Sequence, residues 1–241
     1  MDSMPEEDTF SSNTIIIPPI DKIIPPQIET ATFALGWFWG PDSRFGVIPG
    51  IIHTRVGYAG GTTANPTYHA LGDHSETVQL DYDPARISYE SLLKIFWKDH
   101  DPTVASWSRQ YRAAIFYHNE LQKKAALDTK EQEAVSHKTT IHTDIIPFTA
   151  FYIAEDYHQK YALQHNPELM REFRAMYVSF EGIVNSTAAA RVNGYLAGYG
   201  TLKELREELE SYGLSQAGGD QLIAILKQSN RFHCIGSSCR S

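Results

Sequence analysis

The sequence has little cysteine, no long hydrophobic run and no excess of positive charge. Its two cysteines, Cys234 and Cys239, both stand near the end of a 241-residue chain, so no disulfide framework holds the core. No stretch approaches the roughly 18 consecutive apolar residues of a membrane span. The first residues, MDSMPEEDTF, are acidic, whereas signal and transit peptides are basic. These features predict a cytoplasmic protein without membrane attachment.

The charge balance argues against nucleic acid as a partner. There are 29 acidic and 21 basic residues, a net charge of -8, and such a surface repels a phosphate backbone. Hydrophobic residues make up 42% of the chain, which suffices for one sizeable core, or for one core with a smaller helical appendage. We expect a monomer.

Three segments differ in pattern. Residues 1–28 include NTIIIPPIDKIIPPQ, whose doubled prolines predict an extended arm. In residues 29–166 the candidate strands TATFAL, IIHTRVGYA, ETVQLDY and YRAAIFY alternate with candidate helices, among them YESLLKIFWK and NELQKKAALDTKEQEAV. This alternation predicts an α/β sheet covered by helices. Residues 167–241 have helical patterns only, and we expect a helical C-terminal extension with a cysteine-containing tail.

Two local patterns are specific enough to place side chains. In ETVQLDY strict alternation puts Val78, Leu80 and Tyr82 on one face of a strand. Ser88 stands where a helix YESLLKIFWK needs an N-cap. A short helix is expected from about Phe38 to Phe45.

The stretch GWFWG, from Gly36 to Gly40, lies where the first strand passes into that short helix. The N-terminus of a helix stabilises negative charge, which suits a thiolate or a bound anion. Trp37 is neither, since its only polar group is one N–H donor. Nearby, Glu76 beside aromatic residues is a candidate proton donor, because desolvation raises a carboxyl pKa. Tyr68 and Tyr111 offer hydroxyls for a substrate oxygen, although all three residues have an ordinary structural interpretation too.

From about Ala31 to Tyr161 the chain resembles a peptide methionine sulfoxide reductase of the A type, the family that reduces the S epimer of methionine sulfoxide. The motifs are ATFALGWFWG, VGYAGGTTANPTY, HSETVQLDYDPARISYESLLKIFWKDHDPT, QYRAAIFY and FYIAEDYHQKY. The resemblance implies a mixed-sheet α/β sandwich with a ferredoxin-like core.

The resemblance also implies roles for single residues. Phe38 and Trp39 match the aromatic wall around the substrate methyl group. Glu76 matches the acid that protonates the sulfoxide oxygen, and Tyr68 and Tyr111 match the hydroxyls that bind this oxygen. In the family a thiolate or selenolate attacks the sulfoxide sulfur, another cysteine resolves the product, and thioredoxin completes the cycle without a metal or organic cofactor.

Three departures from the family pattern stand out. Trp37 occupies the position of the nucleophile. The segment VASWSR is shorter than the family's loop, which carries an Asp that orients the substrate. In NGYLAGYG, Leu196 occupies the place of the resolving cysteine, so Cys234 or Cys239 is expected to substitute. Alternatively, these two thiols lie in an unordered end and do nothing, and a zinc site with His233 would lack a fourth ligand.

Trp37 has two interpretations. In the first, the protein is a pseudoenzyme or binding module whose pocket is filled by the indole. In the second, the working protein has cysteine or selenocysteine at position 37, since the selenocysteine codon UGA differs from the tryptophan codon UGG by one base. The joint presence of Glu76, the tyrosine pair and the aromatic wall favours the second interpretation, which predicts an active reductase.

Overall fold

The computed structural model describes residues 17–237, with side chains described through residue 229. Its centre is one six-stranded mixed sheet of order β5-β4-β1-β3-β2-β6. The strands are β1 (Glu29–Leu35), β2 (Ile51–Ala59), β3 (Ser75–Tyr82), β4 (Ala113–Tyr117), β5 (Asp144–Pro147) and β6 (Phe151–Ile153). The predicted mixed α/β fold is confirmed.

The four central strands have the ferredoxin-like order β4-β1-β3-β2, in which every neighbouring pair is antiparallel. Two further strands, which the sequence patterns did not indicate, extend the sheet. β5 pairs with β4 in parallel, and β6 pairs with β2 antiparallel. At four and three residues they are too short for alternation to mark them.

Nine α-helices lie within residues 17–237: α1 (Trp39–Gly46), α2 (Tyr89–Lys98), α3 (Glu120–His137), α4 (Tyr161–Gln164), α5 (Pro167–Met176), α6 (Phe180–Val184), α7 (Thr187–Leu196), α8 (Leu202–Glu208) and α9 (Gln216–Ser237). Ser88 caps α2 as predicted, its side chain accepting a hydrogen bond from the Ser91 N–H at 3.2 Å. No helix in this part of the chain is long and apolar enough to cross a membrane.

The main core lies between one face of the sheet and the helices α1, α2 and α3. Val78, Leu80 and Tyr82 of β3 all point into it, in agreement with the alternation in the sequence. The Phe33 ring of β1 lies 5.5 Å from Phe45 of α1. This packing fixes α1, and with it the turn that carries residue 37, against the strand that carries Glu76.

The C-terminal helices pack directly on α1. The buried Arg191 of α7 donates hydrogen bonds to the carbonyl oxygens of Gly46 and, at 3.0 Å, Ile51. A side chain at Gly46 or Gly194 would collide with the facing helix, because an added Cβ would lie 2.7 Å from the Ala190 oxygen or 2.5 Å from Val47. The two helices therefore meet backbone to backbone.

The described part of the N-terminal arm, residues 17–28, contacts the same helical layer. A 3₁₀ turn, Pro19–Lys22, places Asp21 so that its carboxylate accepts the Ala188 N–H near the start of α7 at 2.9 Å and also binds the Tyr177 hydroxyl. The arm thus covers the helices that support α1.

A buried ion pair joins these layers. Lys160 and Asp42 are both 0% exposed, and the Lys160 Nζ lies 3.0 Å from an Asp42 carboxylate oxygen. The ammonium also donates to the Thr54 hydroxyl at 2.8 Å. Asn193 of α7 donates to the other Asp42 oxygen at 3.2 Å. Asp42 of α1 therefore links β2, α7 and Lys160, which directly precedes α4.

Replacing Lys160 with Met should destabilise the protein by about 3–5 kcal/mol, because the buried Asp42 carboxylate would lose its counter-charge. Urea unfolding of the purified chain measures this change. Lys203→Met is the matched control, since Lys203 is exposed and its pair with Glu207 spans 3.8 Å, worth roughly 0–1 kcal/mol. Equal effects of the two substitutions would contradict the structural role of the buried pair.

Candidate functional site

Residue 37 lies in the turn between β1 and α1. Gly36 has φ +91, a conformation that strongly favours glycine. Phe38 is the N-cap residue of α1. The turn therefore presents the residue 37 side chain beside the N-terminus of a helix, where a negatively charged group is stabilised.

Glu76 lies on β3 directly beside this turn and is only 3% exposed. One carboxylate oxygen accepts the Phe38 backbone N–H at 3.2 Å, and the other accepts the Gln110 side-chain amide at 2.8 Å. Burial raises the Glu76 pKa above its usual 4.5, although both hydrogen bonds oppose the shift. A carboxyl with a raised pKa keeps its proton closer to neutrality, as a general acid requires.

A small cavity of about 60 Å³ lies in front of the Glu76 carboxyl. Six side chains line it, namely Trp37, Phe38, Trp39, Tyr68, Glu76 and Tyr111. These are all of the predicted site residues except the two cysteines. The cavity is walled by aromatic rings and contains one acid.

The Trp37 indole lines the edge of this cavity and leaves part of it open. The side chain is 64% exposed and lies at the mouth, with its ring centroid 6.1 Å from Tyr111 and 6.4 Å from Trp39. The turn at Gly36 directs the indole outward, while Phe38 takes the buried direction. The rest of the site is formed without a nucleophile at residue 37.

Tyr68 is held by the loop between β2 and β3. Its backbone N–H donates to a Glu155 carboxylate oxygen at 3.0 Å, and the other Glu155 oxygen accepts the Tyr58 hydroxyl at 2.7 Å. At the far end of the loop Asp73 accepts the backbone N–H groups of Thr62 and Thr63 at 2.8 and 3.0 Å. These bonds fix the loop conformation that brings Tyr68 to the cavity.

Tyr111 lies near the end of the connection between α2 and β4. Arg109 fastens this connection to the Tyr68 loop, donating to the carbonyl oxygens of Asp73 at 2.6 Å and Gly60 at 3.3 Å. Desolvation, followed by the nearby Glu76 charge, raises the Tyr111 pKa. The hydroxyl therefore remains a proton-bearing donor over the physiological range.

Two residues of the site were not singled out from the sequence. The Tyr161 ring stacks on Trp39 with a centroid distance of 3.8 Å. The buried His158 accepts the Trp39 indole N–H on Nδ1 at 3.2 Å, and its Nε2 has no hydrogen-bond partner among the residues that the structure describes. Desolvation lowers the His158 pKa. Both residues belong to the motif EDYHQKY, whose spacing alone gives no sign that they support the aromatic wall.

The predicted resolving residues are placed only in part. Position 234 lies within α9 (Gln216–Ser237), and Cys239 is outside the described residues. Leu196, which the resemblance places at the position of a resolving cysteine, packs against the core of the helical layer. Within the described part of the chain no cluster of three or more His, Cys, Asp or Glu side chains is arranged to hold a metal ion.

Comparisons with known proteins identify the family of this chain. The family model for peptide methionine sulfoxide reductase matches residues 29–188. The peptide methionine sulfoxide reductase of Drosophila melanogaster is 41% identical over 188 residues, covering 77% of this chain and 75% of its own. Peptide methionine sulfoxide reductase A5 of Oryza sativa subsp. japonica is 42% identical over 175 residues, covering 70% and 68%.

Solved structures give the same result. Methionine sulfoxide reductase A of Corynebacterium diphtheriae matches with a TM-score of 0.53 at 32% identity, covering 59% of this chain and 76% of its own. Reduced Mxr1 from Saccharomyces cerevisiae matches with a TM-score of 0.55 at 30% identity, covering 60% and 89%. The fold is that of these mixed α/β oxidoreductases. The chain belongs to the peptide methionine sulfoxide reductase family, as its family match and its relatives show.

Proposed function

We propose that the working protein reduces methionine-S-sulfoxide, peptide-bound or free, to methionine, with cysteine or selenocysteine at position 37. The observation that carries the proposal is the buried Glu76 carboxyl, whose raised pKa and position beside residue 37 are those of a proton donor. An acid in this position supports attack by a nucleophile at residue 37, because it protonates the oxygen that leaves the substrate sulfur.

The reaction follows from the positions of these groups. A thiolate or selenolate at residue 37 attacks the sulfoxide sulfur, while Glu76 transfers its proton to the sulfoxide oxygen. The hydroxyls of Tyr68 and Tyr111 donate hydrogen bonds to that oxygen, and Phe38 and Trp39 enclose the methyl group. The substrate sulfur is reduced to a thioether as the oxygen passes to residue 37, which becomes a sulfenic or selenenic acid.

We further propose that Cys234 or Cys239 resolves this intermediate. The thiol attacks the oxidised residue 37, water leaves, and a disulfide or selenenylsulfide forms that thioredoxin reduces. A thioredoxin-dependent cycle fits the cytoplasm, where thiols are kept reduced.

Removing both cysteines should allow a single turnover of the enzyme but prevent repeated turnover with thioredoxin. In a Trp37→Cys background, the added substitutions Cys234→Ser and Cys239→Ser should leave about one methionine formed per enzyme but abolish thioredoxin-driven turnover. Each single substitution identifies which thiol resolves. Full thioredoxin-driven turnover without either cysteine would show that neither has this role. Methionine is quantified by chromatography after rapid mixing.

A second function is favoured by the open cavity. Because Trp37 leaves part of the pocket open, the chain with Trp37 could serve as a module that binds sulfoxide or methionine peptides without turnover. Titration calorimetry with a methionine sulfoxide peptide tests this alternative. Glu76-dependent affinity would support it, and no binding would exclude it. The test of the enzymatic function is turnover by the Trp37→Cys chain.

A further inference from the structure

The short segment Val104–Ser108 exposes apolar surface next to the cavity. Trp107 is 84% exposed and Val104 64% exposed. Tryptophan is rarely left so accessible in a folded protein. None of the five residues VASWS is charged, so this surface offers an apolar contact without a competing charge.

The exposed indole is continuous with the candidate site. The Trp107 ring centroid lies 5.2 Å from that of Tyr111, tilted by 51°, and Tyr111 is a wall of the cavity. Apolar surface therefore runs outward from the cavity without interruption. Arg109 follows this segment and donates to the carbonyl oxygens of Asp73 and Gly60. These bonds hold the end of the segment against the loop between β2 and β3.

Trp107 lies beside Tyr111, a residue that lines the cavity, with 5.2 Å between their ring centroids, so one extended polypeptide can contact both the cavity and Trp107. Residues in an extended chain advance about 3.4 Å each, and side chains two positions apart point to the same side. If a sulfoxide side chain enters the cavity from such a chain, the side chain about two positions away lies over Trp107. Free methionine sulfoxide has no second side chain to place over the indole.

We propose that Trp107 is a specificity-determining residue that selects polypeptide-bound methionine sulfoxide with an apolar side chain two positions from the oxidised residue. This inference rests on the proposed reductase function and names its preferred class of substrate. Trp107 contacts the flanking residue only, so it contributes to substrate affinity and leaves the chemical step unchanged. In kinetic terms it lowers KM without raising kcat.

The test uses the Trp37→Cys chain with three substrates: free methionine-S-sulfoxide, a capped pentapeptide with the sulfoxide at its centre and leucine at both ends, and the same peptide with serine at both ends. We expect the leucine peptide to have the highest kcat/KM. Trp107→Ser should lower kcat/KM for the leucine peptide by about five- to tenfold through KM. For the other two substrates kcat/KM should change by less than about twofold. Trp107→Phe should retain the preference.

Leu121→Ser is the matched control, because Leu121 of α3 is equally accessible at 82% and is not among the residues that line the cavity. Leu121→Ser should leave kcat/KM unchanged for all three substrates. Equal kcat/KM for both peptides, or equal loss on all three substrates after Trp107→Ser, would overturn the proposal. A change of oligomeric state on Trp107→Ser, with no change in peptide preference, would assign the indole to contact with a second copy instead.

Failure of the proposed function has a different signature. It would appear as no turnover of any substrate by the Trp37→Cys chain. In that case calorimetric titration of the same variants with the two peptides decides the specificity proposal. Tighter binding of the leucine peptide that Trp107→Ser abolishes would support it, and absence of that difference would overturn it.

Discussion

The Trp37→Cys chain should reduce a methionine-S-sulfoxide substrate at least about a thousandfold faster than the chain with Trp37, because loss of a catalytic nucleophile typically costs even more than this in other enzymes. The gain is expected without any further substitution. The cavity, the Glu76 acid and both tyrosines are already assembled around residue 37. A thiol at the N-terminus of α1 would also have a lowered pKa and so be more nucleophilic.

Methionine formed in the presence of dithiothreitol is the readout, which makes the result independent of the resolving cysteines. Trp37→Ser is the matched control, since it removes the same indole but supplies a hydroxyl that is a much weaker nucleophile. Activity in both variants would show that the gain comes from removal of the indole and not from the added thiol. A folded Trp37→Cys chain without turnover would refute the enzymatic proposal.

Replacing Glu76 with Gln in the active Trp37→Cys chain should lower kcat/KM by about 10²–10⁴-fold, the usual contribution of general acid catalysis. Gln keeps the shape of the side chain and can still accept one hydrogen bond, but it has no proton to transfer. The nearby Gln79→Glu substitution is not a suitable control because Gln79 donates to Thr32. Glu90→Gln is a suitable control, since Glu90 is an exposed carboxylate of α2 outside the cavity.

The pH dependence distinguishes an acid from a merely structural carboxylate. Burial raises the Glu76 pKa above 4.5, so the protonated acid is lost, and the rate falls, as pH rises through the raised pKa. At low pH the rate is limited by protonation of the thiolate, which gives a bell-shaped profile. Glu76→Gln should remove the alkaline limb. A profile that keeps both limbs would contradict the role of Glu76 as acid.

The same shift affects stability. A folded state that holds the Glu76 proton more tightly than the unfolded chain gains stability below pH 4.5 and loses that gain as pH rises through the folded pKa. The melting temperature of the chain with Glu76, measured relative to that of the Glu76→Gln variant, should therefore decline as pH rises from 4.5 through the folded pKa of Glu76.

The sequence predicted what depends on local pattern. Alternation placed Val78, Leu80 and Tyr82 in the core, and a serine before a helical pattern was found to cap α2. Resemblance to the family named six residues that the structure gathers around one cavity. The alternation and the cap are confirmed because each is specified within a few neighbouring positions, whereas the roles of the six cavity residues stay a prediction.

What the sequence did not predict depends on contacts between distant segments. The outward direction of Trp37 follows from the positive φ of Gly36 and from the rings of Tyr111 and Trp39. The buried Lys160 and Asp42 meet across 118 positions of sequence, and a lysine in a sequence is ordinarily read as a surface residue. Neither arrangement has a periodic signature.

The most direct test is the identity of residue 37 in the protein isolated from its natural source, determined by peptide mass spectrometry and by the sequence of codon 37 in the transcript. Our account predicts selenocysteine encoded by UGA with an insertion element downstream, or otherwise cysteine. Tryptophan encoded by UGG would contradict it, and the protein would then be a binding module that keeps the pocket of its relatives without their chemistry.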